Sequence, residues 1–339
     1  MTEHGKRNMT QRGLAALAGV SVPTVSRVLS APADQRTRWA SATTVEKILS
    51  LAEEHGYTRN PHAASLRTAR SNLVGVMVPR LQDLVLATIY EGIEEAGVEH
   101  GVNTYVMNSH DDVDLQRTRT QAMLERRVDG LIFGDAHLDD DFLENLAQRH
   151  VPFVLTSRRK DGHISVTLDD YAGGRLVAQH LADLGCRSIV VLAGLEFAST
   201  AQDRTQGLID GLSDAGIEVP EKNIIFRGFD TMAGRLAMAE VLETGLEPDA
   251  VFATNDFAAI GALGVLQDQG RSVPDDVVLV GYNDTPLAES VGIPLTTVHS
   301  PMHQMGRQAL ETLMRLIAGE DCEPVLLEPE LIIRSSTQR

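Results

Sequence analysis

Between Val22 and Arg27 the chain carries a short run of small polar, apolar and cationic side chains that suits contact with nucleic acid. On the helix that this run predicts, the exposed residues are Val22, Pro23, Thr24, Ser26 and Arg27. Hydroxyl groups and a guanidinium can hydrogen-bond base edges and phosphates. Val22 and Pro23 have no side-chain donor or acceptor, so apolar contact, such as contact with a thymine methyl, is expected there.

Two short helices joined by a tight turn would present this run. Thr10 can cap the first helix, and Gly19 supplies the turn. Ser21 can cap the second helix, whose Val25 and Val28 fall on one apolar face. This pattern predicts a helix-turn-helix, in which the second helix lies in the DNA major groove. An ordinary helical hairpin with a capped second helix is the alternative.

A third amphipathic helix is predicted from about residue 41 to residue 55. Its apolar residues recur at helical spacing: Val45, Ile48, Leu49 and Ala52. This helix would close a three-helix core with the first two.

The polar segment 58–71 has Leu66 as its only large apolar side chain, with arginines on both sides. After Pro61 one or two helical turns can form, and a lone leucine there is typical of a minor-groove wedge. A helix this short is marginal in isolation, so it is expected to fold only on DNA or against a second copy. A flexible linker is the alternative.

Charge is divided unevenly along the chain. The 339 residues carry a net charge of −17, but residues 1–72 have ten Lys or Arg against five Asp or Glu, a net of +5. The remaining residues have a net charge of −22. A basic head on an acidic body fits phosphate contact by the head alone.

The sequence does not favour a secreted protein, a membrane protein or an enzyme. Cys186 and Cys322 match no metal or redox spacing and are expected to stay reduced. The first residues are polar, and the longest apolar run, 257–266, is too short to span a bilayer. These features predict a cytoplasmic protein with no membrane partner. No Walker loop, G-x-S-x-G or H-E-x-x-H motif occurs, and no cofactor is expected. The acidic runs 110–112 and 139–141 are more typical of solvated loops and helix caps than of metal ligands.

From Leu73 onward, short apolar runs alternate with amphipathic helical patterns. The predicted strands are 73–78, 103–108, 130–133, 152–156, 188–194, 223–226, 250–254 and 277–282. Predicted helices include 86–99, 173–184, 203–214, 231–243 and 256–268. This alternation predicts an α/β fold of parallel sheets with helices on both faces. So many units favour two lobes, with a ligand cleft at the carboxyl ends of the strands.

The head, linker and body together resemble the LacI/GalR family of bacterial transcriptional repressors. The segments that carry the resemblance are AGVSVPTVSRVLS, HGYTRNPHAASLRT, LVGVMVP, RRVDGLIF, VFATNDFAAIGAL, VPDDVVLVGYNDTPLA, PLTTVHSPMHQMGRQA and PELIIRSST. The family implies a homodimer that binds a palindromic double-stranded DNA operator as a transcriptional repressor. It also implies a periplasmic-binding-protein-like body that senses a small-molecule effector and controls DNA binding allosterically.

The resemblance implies three parts. These are a helix-turn-helix head (1–58), a hinge-helix linker (59–72) and an effector-binding and dimerisation body (73–339). Within the body, one lobe comprises about 73–169 and 299–327, and the other about 170–298 and 328–339. The chain ends without a leucine-heptad tail, so a dimer rather than a tethered tetramer is expected.

The motif and the resemblance together imply specific contact residues. DNA contacts are expected at Thr10, Val22, Pro23, Thr24, Ser26, Arg27, Asn60, Ala63, Leu66 and Arg67. Effector contacts are expected at Arg80, Val85, Leu86, Arg158, Arg204, Phe229, Asn255 and Asn283. Asp256 is expected to cap the helix that begins beside Asn255, leaving the Asn255 amide to face the cleft.

Three arginines, Arg80, Arg158 and Arg204, would give the cleft a positive field. They favour a polar sugar or an anionic sugar derivative as the effector. Alternatively, Arg80 pairs with a neighbouring acid such as Asp83. Val85 and Leu86 stand where the family has aromatic residues, which disfavours flat-ring stacking on that lobe. A purine-responsive or other metabolite-responsive corepressor-type regulator, and a solute-binding protein without a regulatory role, are the alternative functions.

Two features of the head depart from the family pattern. Gly13 stands where an acid is usual, and a glycine there weakens the first helix by ~1 kcal/mol. The loop between the second and third helices is longer than usual and holds Trp39, the only tryptophan. Packing on the head is the expected role of Trp39, with a DNA backbone contact as the alternative.

Overall fold

The computed structural model describes residues 9–57 and 70–339. They belong to two compact units, one within residues 1–69 and one spanning residues 70–339. The described part of the first unit is helical, and all described strands lie in the second unit, where they form two sheets.

Three α-helices and one 3-10 segment form the first unit. They are α1 (Gln11–Ala18), α2 (Val22–Ser30), the 3-10 segment Ala33–Arg38 and α3 (Ala42–Glu54). Thr10, Ser21 and Ser41 cap the three α-helices, each accepting a hydrogen bond from a backbone N–H at the start of its helix. Gly19 ends α1 with a φ of 74°, a conformation that glycine adopts without strain. The predicted caps, turn and third helix are confirmed.

One apolar core joins the three helices. Its buried members are Leu14, Ala15, Ala18, Val25, Val28, Val45, Ile48 and Ala52.

Helices α1 and α2 are bent by 106° relative to each other, within the roughly 90–120° of a helix-turn-helix. No single described helix is long and apolar enough to cross a membrane; only α1 and α2, counted as one bent pair, reach that length and composition.

The second unit alternates strands and helices. Its strands are β1 (Leu73–Val78), β2 (Asn103–Asn108), β3 (Gly130–Phe133), β4 (Phe153–Thr156), β5 (Ser165–Leu168), β6 (Ile189–Gly194), β7 (Ile224–Phe226), β8 (Ala250–Ala253), β9 (Val278–Asn283), β10 (Thr296–His299), β11 (Val325–Leu327) and β12 (Glu330–Ile332). Its α-helices are α4 (Leu84–His100), α5 (Val113–Glu125), α6 (Phe142–Gln148), α7 (Asp170–Asp183), α8 (Ser199–Asp214), α9 (Thr231–Glu243), α10 (Asp256–Asp268), α11 (Pro286–Ser290) and α12 (Met302–Ile317).

Two six-stranded sheets result, in the orders β11–β5–β4–β3–β1–β2 and β12–β10–β9–β8–β6–β7. Neighbouring strands are parallel except for β10 and β12, which are antiparallel. The eight predicted strands are confirmed with small shifts of their ends. Strands β5, β10, β11 and β12 were not predicted. Strands β5 and β10 are rich in Ser and Thr, which weakens their apolar pattern.

Helices cover both faces of each sheet, as the sequence predicts. In β1, Val76 packs with residues of α4 and α12, and its neighbour Met77 packs with residues of α5 and α6. In β6, Val191 packs with α7 and α8, and Leu192 packs with α9 and α10. The alternation of side chains along each strand therefore supplies both cores.

Three chain crossings connect the sheets, between β5 and β6, between β10 and β11, and between β11 and β12. Beyond the first crossing, α7 and α8 pack against each other through glycines. A Cβ at Gly174 would overlap the backbone of Arg204, and a Cβ at Gly207 would overlap the backbone of Tyr171. This close approach brings Arg204 of α8 beside Asp170, the first residue of α7.

Candidate functional site

The outer face of α2 carries residues predicted to contact nucleic acid. Its exposed residues are Val22, Pro23 and Arg27, and its half-buried residues are Thr24 and Ser26. Oγ of Ser21 lies 2.8 Å from Oγ1 of Thr24, so the helix cap already engages the Thr24 hydroxyl. The exposed start of the helix is thus apolar, and its cation lies one turn further along.

Thr10 is exposed at the start of α1, where its Oγ1 accepts a hydrogen bond from N of Gly13 at 3.1 Å. A helix N-terminus favours a negative charge, so this end of α1 suits a phosphate. Four other predicted DNA contacts, Asn60, Ala63, Leu66 and Arg67, lie outside the described residues. Their roles stay predictions.

Arg27 is the only cationic residue of α2, and its Cζ lies 4.7 Å from the centroid of the Trp39 ring. Trp39 directly follows the 3-10 segment and is 46% exposed. Trp39 therefore packs on the head, as expected, but it packs on a cation of the outer face rather than in the apolar core.

In the second unit, the carboxyl ends of strands from both sheets supply polar and aromatic side chains. From the first sheet come Asp111, Asp135, His137 and Arg158, and from the second come Phe197, Phe229, Asn255 and Asn283. These side chains form two groups, one around Arg158 and one around Arg204 of α8. A cavity of about 340 Å³ lies at the junction of the lobes, and its lining includes Asp170, the partner of Arg204.

Arg204 is a buried cation with three partners among the described residues. Its Nε donates to Oδ1 of Asp170 at 2.7 Å, and its Nη1 donates to the carbonyl oxygen of Thr254 at 2.6 Å. Its Cζ lies 3.8 Å from the centroid of the Tyr282 ring. Among the described residues, nothing hydrogen-bonds its Nη2, so this edge of the guanidinium remains available to a ligand.

Asn255, not Asp256, caps α10, so the prediction for this pair is wrong. Oδ1 of Asn255 accepts a hydrogen bond from N of Phe257 at 2.7 Å. Asp256 is fully buried instead and accepts hydrogen bonds from the hydroxyls of Thr285 at 3.0 Å and Thr297 at 2.7 Å. Asn255 directly follows Thr254, the residue whose carbonyl oxygen accepts a hydrogen bond from Arg204.

Asn283 combines backbone strain with an unsatisfied polar group. Its φ of 98° is rare for any residue but glycine, and its side chain is 2% exposed. Its Oδ1 has no hydrogen-bond partner among the described residues. Strain and a buried orphan acceptor at the end of a strand are typical of a functional position. Tyr282, the preceding residue, is the one on which Arg204 stacks.

Arg158 extends from the first lobe to aromatic rings of the second. Its Cζ lies 5.7 Å from the ring of Phe197 and 5.8 Å from the ring of Phe229. Its Nη1 donates to Oδ1 of Asp111 at 2.6 Å. The structure therefore brings Arg158 and Phe229 together, as predicted for one site, and adds Asp111 as the counter-ion.

A set of contacts that we call the lobe latch joins the two lobes next to Arg158. Nε of Arg159 donates to Oδ2 of Asp203 at 2.9 Å, and Nη2 donates to Oδ1 at 2.7 Å. N of Leu138 donates to the carbonyl oxygen of Phe197 at 3.0 Å. The ring of His137 stacks on Phe197 at 3.9 Å, and burial, with the nearby Arg158 cation, lowers the pKa of His137.

Of three further predicted effector residues, one is exposed and two are buried in the apolar core. Arg80 is exposed and forms no ion pair with Asp83 or any other residue of the described chain. Asp83 instead caps α4 by accepting from N of Val85 at 2.9 Å. Val85 and Leu86 are each 6% exposed and belong to the apolar core, so neither is displayed on an open surface.

Carboxylates neutralise the arginines of the cleft. Arg158 pairs with Asp111, and Arg204 pairs with Asp170, so only Arg80 of the three predicted cations keeps an uncompensated charge. Asp135 adds a fully buried carboxyl group next to the Arg158 group, and burial raises its pKa to about 6. The prediction that Arg80, Arg158 and Arg204 together give the cleft a positive field is therefore wrong.

The partners of the arginines were not identified from the sequence. Asp111 lies in an acidic run that predicts a solvated loop, while its neighbour Asp112 is a helix cap, as predicted, and accepts from N of Leu115. Within residues 9–57 and 70–339, no group of three or more His, Cys, Asp or Glu side chains could hold a metal ion. Asp111 could have been found from its position three residues after β2, at the edge of the sheet where ligands bind.

Comparison with known families gives two matches. Residues 12–60 match the model of bacterial regulatory proteins of the lacI family, and residues 178–337 match a periplasmic binding protein-like domain. The HTH-type transcriptional regulator CelR of Thermobifida fusca is 33% identical, with 98% of this chain and 99% of CelR covered. The HTH-type transcriptional repressor PurR of Photobacterium profundum is 29% identical, with 97% and 98% covered.

Two solved structures of regulators are also similar to this chain over nearly its whole length. The lac repressor dimer bound to operator and the anti-inducer ONPF is similar with a TM-score of 0.88 and 27% identity, covering 98% of this chain and 100% of that one. A CelR–cellobiose complex is similar with a TM-score of 0.73 and 32% identity, covering 97% and 99%.

Removing the Arg204 side chain alone should destabilise the second unit. Arg204→Ala leaves Asp170 as an unpaired buried carboxylate, a change that costs about 3–5 kcal/mol of unfolding free energy. The double variant Arg204→Met/Asp170→Asn removes both charges and should lose much less. Chemical denaturation followed by circular dichroism compares the two. A single variant as stable as the wild type would refute the structural role of the pair.

Asp135→Asn should become increasingly stabilising as the pH rises. Burial raises the pKa of Asp135 from 3.8 in the unfolded chain to about 6, so the folded state binds the extra proton between these values. The wild type therefore loses stability as the pH rises from about 4 through 6, by about 2–3 kcal/mol, and the asparagine variant lacks this loss.

Denaturant midpoints of the two proteins, measured on both sides of pH 6, test this sign. Asp139→Asn controls for the loss of one negative charge, because the side chain of Asp139 is 72% exposed. A stability difference between Asp135→Asn and the wild type that stays constant with pH would contradict the assignment.

Proposed function

Because the chain belongs to the lacI family of bacterial regulatory proteins, we propose that it is a homodimeric transcriptional repressor that binds a palindromic operator and responds to a small molecule. The observation that carries this function is the capped helix α2, which crosses α1 at 106° and presents Val22, Pro23 and Arg27 on its exposed face. This geometry suits insertion into the major groove. The net charge of +5 on residues 1–72 supports phosphate contact by the same unit.

Three segments divide the work. Residues 1–58 bind the operator half-site, 59–72 form the hinge, and 73–339 bind the effector and the second copy. One lobe of the body comprises about 73–169 and 299–327, and the other about 170–298 and 328–339. Two copies related by a twofold axis place two α2 helices on adjacent half-sites, so a palindromic operator follows from the symmetry. The lac repressor, which is similar over the whole chain, is described as a dimer bound to operator.

The effector that the cleft suits best is a neutral sugar. Asn283 offers an unpaired amide oxygen, Asn255 offers amide N–H groups, and Arg204 offers one guanidinium edge. Such groups match the paired donor and acceptor character of hydroxyls. Because Asp111 and Asp170 neutralise Arg158 and Arg204, the arrangement does not favour an anionic ligand. Phe229, which is half-buried, supplies a ring face for a sugar.

Two relatives point to different ligand classes. One relative, CelR, is 33% identical to this chain. A similar solved structure is described as a complex of CelR with cellobiose. PurR, which is 29% identical, favours a purine by its name and is the second candidate. The replacement of aromatic residues by the buried Val85 and Leu86 favours the sugar, because a purine gains most from stacking between rings.

The lobe latch gives the ligand a way to act on DNA. Arg159 of one lobe and Asp203 of the other hold the cleft shut, and Asp203 lies on the same helix as Arg204. A ligand seated beside Arg204 would change the balance between latched and open lobes in proportion to its different affinities for the two states. The hinge then transmits this change to the heads. No catalytic residue or cofactor enters this scheme.

The function is tested by selecting duplexes from a random pool with the full chain. The retained duplex is then titrated in the presence of neutral sugars, sugar acids, phosphosugars or purines. We expect a palindromic duplex to be retained and a neutral sugar to change its affinity by roughly 5- to 150-fold. A response to purines alone supports the second candidate.

Two outcomes would contradict the proposal. Failure to retain any duplex under every condition would exclude operator binding. If the full chain binds sugar as tightly as a fragment lacking residues 1–72, and sugar never alters DNA affinity, the protein is a solute-binding protein without a regulatory role.

Leu66→Ala should weaken operator binding by about tenfold, equivalent to about 1.4 kcal/mol, because an alanine cannot wedge apart a base step. Effector affinity should be unchanged, since the substitution lies in the hinge. Leu66→Met, which keeps apolar bulk, is the matched control and should retain more of the affinity. Gel-shift titrations measure the operator constants, and equal affinities for Leu66→Ala and the wild type would refute the wedge.

A further inference from the structure

Trp39 is a large aromatic side chain that the head does not use in its core. Trp39 is 46% exposed, whereas the core is formed by residues that include Leu14, Val25, Val28 and Ile48. Its described ring contact is with Arg27, whose Cζ lies 4.7 Å from the ring centroid. Packing of the apolar core therefore does not explain the half-exposed Trp39 beside the outer face of α2.

The 3-10 segment holds Trp39 in this place. Nε of Arg36 donates to the carbonyl oxygen of Ala31 at 3.2 Å, which ties the segment to the end of α2. N of Trp39 donates to the carbonyl oxygen of Arg36 at 3.1 Å. Ala31 in turn is bonded to Arg27, because its N donates to the Arg27 carbonyl oxygen at 3.0 Å. The longer loop thus folds back on the turn of α2 that carries Arg27.

Stacking controls the orientation of Arg27 without using its donors. A guanidinium that stacks on an aromatic ring contacts it with its flat face, and its five N–H groups point outward along the edge. Within residues 9–57 and 70–339, the Arg27 side chain makes no hydrogen bond and no ion pair. Its five N–H groups are therefore unused by the described residues, while its Cζ lies over the Trp39 ring. An arginine held in one orientation loses less conformational freedom when it binds an acceptor.

We propose that Trp39 is a positioning residue for DNA recognition: it holds the Arg27 guanidinium so that its N–H edge meets an acceptor of the duplex, either a phosphate oxygen or a guanine edge. This inference rests on the proposed operator binding. The longer loop between α2 and α3 is then part of the DNA interface, although its effect is exerted through Arg27.

A double-mutant cycle on the full chain tests the positioning role. Trp39→Leu keeps an apolar side chain but removes the ring, and it should weaken binding to the retained duplex by roughly 2- to 5-fold. In an Arg27→Ala background the same substitution should have no further effect, because no guanidinium remains to be positioned. Trp39→Phe keeps a ring and should bind more tightly than Trp39→Leu. Circular dichroism verifies that each variant is folded.

Arg38→Ala provides the matched control for the cycle. Arg38 is an exposed cation of the same segment, and no contact joins it to the Trp39 ring within the described chain. Any loss of operator affinity caused by Arg38→Ala should be the same in the wild type and in the Arg27→Ala background. The two acceptors are distinguished by the Arg27→Ala variant: a phosphate contact weakens binding to all duplexes and lowers the salt dependence, whereas a guanine contact weakens the selected duplex alone.

Two results would overturn the inference. One is an unchanged operator affinity for Trp39→Leu, and the other is an equal loss with and without Arg27. Both leave operator binding by the wild type intact, so they are distinct from a failure of the proposed function. If the wild type retains no duplex at all, the proposed function fails and the inference fails with it.

Discussion

The second unit is organised around the buried cation of Arg204. A charge at this depth is tolerated only when counter-charge and hydrogen bonds compensate for its lost hydration. Asp170 at the start of α7, the carbonyl of Thr254 after β8 and the ring of Tyr282 in β9 provide this compensation. The requirement fixes the positions of one helix and two strands. It also explains why Asn255 and Asn283, the residues that follow two of these partners, hold polar groups ready at the same edge.

Helix α8, which carries Arg204, connects ligand binding to lobe closure. One residue before Arg204, Asp203 forms the bidentate ion pair with Arg159 of the other lobe. One further contact, from N of Arg159 to Oγ of Ser199 at 2.8 Å, joins the lobes at the start of α8. A ligand that shifts α8 by a small distance therefore acts on the lobe latch directly. This arrangement gives a physical route from the cleft to the relative position of the two lobes.

Local features of the structure could be predicted from the sequence, and distant pairings could not. The caps at Thr10 and Ser21 depend on residues three positions away, and the long apolar strands depend on composition, so both predictions are confirmed. The family resemblance and the α/β fold with parallel sheets are also confirmed. By contrast, Arg158 and Asp111 are 47 residues apart, and Arg159 and Asp203 are 44 apart. Without the pairings of Arg158 with Asp111 and of Arg204 with Asp170, the sequence predicted a positive cleft, and the structure shows these charges neutralised.

If the cleft and the head are coupled, the sugar and the operator must change each other's affinity by the same factor. Titration calorimetry would measure the affinity of the active sugar for the free protein and for the protein saturated with its operator. We expect the two sugar affinities to differ by the same factor by which the sugar changes operator affinity, because thermodynamic linkage requires it. Equal sugar affinities with and without operator would show that the cleft and the head are not coupled.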